Sequence, residues 1–232
     1  MNAPIELPAD LKLISSVGDR ERHTACVMSA VAWIAGEPLG DAPQCASGVI
    51  RPLAIRLNDG KWWRDAAERT AELLPLAHRI VGTNAPAAVE IRRAKRAAEW
   101  ALTFAVPFAL DAAATAVPEP HKTKLADFAR RMRERADPAL ARTAADAAYA
   151  AYAAYAANAA DAADAAYAAY AAAYAAANAA ANAANAADAA AAAAAASKLA
   201  AKLPLRCALQ ALIVELIELP TQQPGVTAEE AE

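Results

Sequence analysis

The chain has 232 residues, a net charge of −3 from 23 Lys/Arg and 26 Asp/Glu, and 58% hydrophobic residues, many of them alanine. That near-neutral balance argues against nucleic acid or an anionic bilayer as a global partner, so no DNA and no membrane partner is expected. Three cysteines cannot all pair, and MNAPIELPADLKLISS has no basic stretch leading into an apolar one. Both features point to a reducing, cytoplasmic setting rather than a secreted disulfide scaffold.

Residues 1–18 read as an N-terminal arm with little regular structure. After Asp19, RERHTACVMSAVAWIA reads as a helix stopped at Gly36-Glu37-Pro38. GEPLGDAPQCASG is a loop. VIRPLAIRLND is a second helix, with Pro52 tolerable only near its start, and Asp59-Gly60 turns the chain. WRDAAERTAELL is a third helix, and Pro75 is expected to open a separate short one that ends at Gly82. From Ala87 to Thr103 the pattern is again helical, with Ile91, Ala94, Ala98 and Leu102 on one face, until Pro107 kinks or ends it. Pro118 and Pro120 open HKTKLADFARRMRERAD, which stops before Pro138. No run reads as a strand. The expected fold class is all-α, a multi-helix bundle whose bulky core comes from Trp33, Trp100, Leu102, Phe104, Phe108, Phe128 and the LIVELIEL segment.

From Ala139 to Leu203 there is neither Gly nor Pro, and alanine dominates. Alanine has the highest helix propensity, so a long alanine-rich helix is expected, either continuous or bent or broken near 158–164. Tyr149, Tyr152, Tyr155, Asn158, Asp161, Asp164 and Tyr167 step by three, so on a helix they wind around it. Tyr167, Tyr170, Tyr174, Asn178, Asn182, Asn185 and Asp188 mix steps of three and four and keep to a stripe about 120° wide. The expectation is that the smooth alanine face packs and the tyrosine-bearing face makes contact. Pro204 opens a last helix. The organisation is an arm (1–18), a mixed-charge helical region (19–137), the alanine-rich helix with the C-terminal helix on the same bundle (138–219), and a polar tail (220–232) expected to be disordered.

No phosphate loop, nucleophile elbow, HExxH or CxxC is present, so no catalytic residue, metal or cofactor is assigned. His23 and Cys26 lie three apart on the expected first helix, where a partly buried helix face is the favoured reading. Arg92 and Arg96 are one turn apart, with Lys95 nearby, and could hold a phosphate if they converge; a solvated face is the favoured alternative. Of Trp62 and Trp63, one is expected in the core and one outside, and Trp62 is a candidate aromatic wall that would meet Arg92, Arg96 and the tyrosines in a ligand pocket. Tyr167, Tyr170 and Tyr174 supply flat rings with a hydroxyl, which suit an interface.

HTACVMSAVAWIAGEP, PQCASGVIRPLAIRLNDG and ELLPLAHRIVGT, followed by an alanine tract with Tyr, Asn and Asp, resemble a group of uncharacterised alanine-rich proteins of actinobacteria and their phages. The tract is also similar to that of Imm5-like immunity proteins. The resemblance implies a setting of conflict between bacteria and phages or between bacteria, with no known activity. It favours His23, Glu37, Arg56, Asn58 and Asp59 as site residues. The resulting expectation is a non-enzymatic helical binding protein, for example a phage-encoded inhibitor of bacterial defence. Its partner would be a small nucleotide-like ligand or a defence protein. The alternatives are a homo-oligomer assembled through alanine-rich helices and an immunity-type protein.

Overall fold

The computed structural model describes residues 5–155 and 202–219, over which the chain is mostly helical. The helices are α1 (Val27–Ile34), α2 (Ile50–Asp59), α3 (Ala66–Ile80), α4 (Ala87–Trp100), α5 (Val106–Ala116), α6 (His121–Glu134), α7 (Pro138–Tyr155) and α8 (Lys202–Glu218). Their buried side chains form one cluster that draws on all eight.

The expectation of a strandless chain is corrected by three two-residue strands, β1 (Lys12–Leu13), β2 (Gly18–Asp19) and β3 (Thr24–Ala25). β3 lies between a parallel β1 and an antiparallel β2. Two residues are too few to display an alternating pattern, which is why the sheet is invisible in the sequence. Leu11 and Leu13, assigned to the arm, are core residues. Gly18 has φ +88°, and a Cβ there would lie 2.2 Å from the Thr24 carbonyl oxygen, so only glycine lets β2 approach β3.

The sheet also shortens the first helix. His23 is left-handed (φ 49°), β3 follows, and Cys26 is extended at the N-cap, so the helix begins only at Val27. Cys26 Sγ accepts the Ser29 N–H at 3.3 Å. All eight residues of α1 are buried, which makes it the centre around which α2 and α3 pack.

Pro75 behaves differently from expectation, and at Pro107, expected to kink or end its helix, the helix does not end. Pro75 lies inside α3 and opens no new helix. It sits on the exposed side, one residue from buried Leu76, so the carbonyl it leaves unpaired at Ala71 faces water while Leu73, Leu76, Ala77 and Ile80 hold the helix to the core. At Pro107 the chain stays helical from Ala87 to Ala116 because a π-helical turn, Ala101–Ala105, precedes it. There the Val106 N–H reaches back five residues to Ala101 O, which places Pro107 in the first turn of α5, where its missing N–H is harmless. By length and composition this 30-residue stretch is apolar enough to cross a bilayer; 67% of its most apolar window is packed inside the protein.

The inward face of α4 is Val89, Arg93, Ala97 and Trp100, while Ile91 is 54% exposed. The face expected from Ile91 to Leu102 is therefore corrected, since the inner row includes an arginine that no apolar count selects. Trp33, Trp100, Leu102 and Phe128 are buried as expected, as are Leu212, Ile213 and Leu216 of α8. Phe104 and Phe108 are half-buried and stack in series with Trp100 at 5.6 and 6.2 Å between ring centroids.

α7 starts where Asp137 accepts the N–H groups of Ala139 (2.9 Å) and Leu140 (3.2 Å). Ala141, Ala144, Ala145, Ala147, Ala148 and Ala151 are buried, and the helix packs on α6 and α5. Arg142, Thr143, Asp146, Tyr149 and Ala150 form the exposed side. The bend considered at 158–164, the later stripe and the 220–232 tail lie outside the described residues. α8 returns to pack on α2, α4 and α3.

Candidate functional site

The RRAKR run of α4 spaces its cations 100° apart for each residue, so the helix sends them in different directions. Arg96 reaches α8 and makes a two-pronged ion pair with Glu215, Nε to Oε1 at 2.5 Å and Nη2 to Oε2 at 2.9 Å. Lys95 is exposed and Arg92 half-buried. Arg93 turns inward and is 1% exposed. Arg96, expected to help hold a phosphate, is thus engaged by a carboxylate that α8 supplies.

Arg93 belongs to the basic cluster read on this helix but is not among the candidate site residues. Its Nε donates to Leu216 O (2.9 Å), and its Nη1 donates to Thr83 O (2.6 Å) and to Glu90 Oε1 (2.7 Å). Glu90 Oε2 accepts the Ser47 hydroxyl at 2.7 Å, and the Thr83 hydroxyl oxygen accepts the Ser47 N–H at 3.0 Å. One buried cation thus ties the loop before α2, the loop before α4 and the end of α8. Glu90 and Arg93, three apart on one helix, are legible as a pair; the carbonyls of Thr83 and Leu216 are not.

Of the residues favoured by the resemblance, Arg56, Asn58 and Asp59 share α2, while His23 and Glu37 lie on other segments. Asn58 is fully buried: its Oδ1 accepts the Val27 N–H (3.1 Å) and its Nδ2 donates to Ile14 O and Asp59 Oδ1 (both 2.8 Å). It clips the start of α1 to the end of β1 through the last turn of α2. Asp59 is exposed and Arg56 half-buried on the same helix. Glu37 takes the N–H groups of Gln44 (2.6 Å) and Cys45 (2.9 Å), which closes the loop after α1. His23 Nδ1 meets Asp10 Oδ1 at 2.7 Å on the surface. His23 and Cys26 do not share a helix, which corrects that pairing: one sits in the turn before β3 and the other caps α1.

Trp62 and Trp63 are both half-buried, correcting the expected split of one in and one out. Both indole N–H groups donate to Leu57 O, at 2.9 and 3.0 Å, which folds the pair back over the end of α2. Trp63 also carries the Arg206 guanidinium over its ring at 4.9 Å, and Arg206 Nη1 donates to Glu68 Oε1 at 2.9 Å. An arginine and a tryptophan therefore do meet, though neither member is the expected one. Tyr167, Tyr170 and Tyr174 lie outside the described residues.

The charged groups act mainly on backbone and on one another. Asp65 accepts the Glu68 N–H at the start of α3, which holds its carboxyl below the usual range. Glu68 is lowered by the Arg64 N–H and then by Arg206. Burial pushes the Cys45 thiol up, with the Glu37 carboxylate adding to the effect. Among the described residues, no three His, Cys, Asp or Glu side chains gather so as to hold a metal ion. On the outer side of α7, Tyr149 is 51% exposed, beside the exposed Asp146 and Ala150. No protein-family model matches this chain, and no curated protein or solved structure matches it either.

Proposed function

We propose that this chain is a non-enzymatic, cytoplasmic helical bundle that works by binding another protein through the tyrosine-bearing side of α7. The observation that carries this reading is the division of α7 into a buried alanine side and an outer side that presents Tyr149 and Asp146. Small alanines let α6 approach closely, while a tyrosine offers a broad contact at little entropic cost. The capture of a nucleotide-like signal has less support, because Arg96 is engaged by Glu215 and Arg93 by the buried network. In the setting that the resemblance implies, the partner is a bacterial defence protein and the chain its phage-encoded inhibitor.

The test combines two measurements on the full chain. A photo-crosslinking amino acid replaces Tyr149, and the product is analysed after expression in bacteria. The unmodified chain, purified from the same lysate, is weighed by native mass spectrometry. A saturable crosslink to one other protein, lost when Asp146→Arg is added, is the expected result. A crosslink to a second copy moves the assignment to a homo-oligomer. A retained nucleotide mass with no crosslink overturns the reading in favour of ligand sequestration.

A further inference from the structure

We draw no further inference here: the strongest candidate, the arginine–tryptophan cluster at the α3–α8 junction where Arg206 Nε has no hydrogen-bond acceptor, carries nothing because that nitrogen is closed off from solvent and nothing in the structure shows a ligand that reaches it.

Discussion

Arg93 shows how one side chain can matter more than a row of similar ones. It is buried, pairs with the half-buried Glu90 and donates to two backbone carbonyls from different parts of the chain. Replacing it by methionine leaves a carboxylate and those carbonyls without their donor. Breaking a buried pair from one side costs about 3–5 kcal/mol. Arg96→Met removes a surface pair, for which about 0–1 kcal/mol is expected. Urea denaturation of the two variants should therefore separate them widely, and equal midpoints would contradict the assignment of Arg93 as the hub. The cysteines give a second contrast. Cys207 is exposed, Cys45 is half-buried with its thiol pushed up by burial, and Cys26 is buried at the α1 cap. Only the thiolate alkylates, so at mildly alkaline pH iodoacetamide should modify Cys207 first, Cys45 later and Cys26 last. Timed peptide mass spectrometry reads that order, and early labelling of Cys45 would show its environment to be more open than described.

For whole helices, local rules gave way where packing outweighed them. Pro75 is tolerated because its disrupted turn faces water, and Pro107 because a wider turn comes before it. Asp65 and Asp137 begin α3 and α7 in the way their side chains predict, each accepting backbone N–H groups. The alanine pattern of α7 leads to a direct test. Ala148 is fully buried, and Ala150, two residues on, is exposed. Ala148→Leu inserts bulk into a close helix contact and should cost about 1–3 kcal/mol. Ala150→Leu, with no such neighbour, should stay within about 0.5 kcal/mol. Thermal melts of the pair distinguish a packed alanine face from a helix that merely favours alanine. If both variants melt alike, the face is not packed.

Across the molecule, α8 is fastened to the earlier helices by pairs distant in sequence: Arg96–Glu215, Arg79–Glu218 and Arg206–Glu68. Such pairs set register more than they add stability; the buried Leu205, Leu209, Leu212, Ile213 and Leu216 supply the adhesion. The capping carboxyls give the fold a pH dependence of definite sign. Asp65, Glu68 and Asp137 are all held below their ordinary values, chiefly by backbone N–H donors. Their contribution is complete above the unfolded carboxylate range of roughly 4 and is lost as pH falls through the lower folded values. Stability followed by helical circular dichroism should fall with acid below about pH 4. Asp65→Asn combined with Glu68→Gln should flatten part of that slope, and an unchanged slope would remove the caps as its source.

Helical character was legible in the sequence alone, because propensity and turn residues act over a few positions. VIRPLAIRLND, HKTKLADFARRMRE and the start of the alanine segment fold locally as their residues dictate. The bulky core was also legible in part, since Trp33, Trp100 and Phe128 have few comfortable places outside it. The direction of the charges was not legible. Arg93 faces inward only because Thr83 and Leu216 place carbonyls there, and Arg96 is taken by a glutamate 119 residues away. The small sheet likewise forms only when the chain brings β1 beside β3, with β2 lying between them in sequence. A helix is decided by neighbours in sequence, whereas the partner of a buried charge is decided by neighbours in space, and only the tertiary structure brings those together.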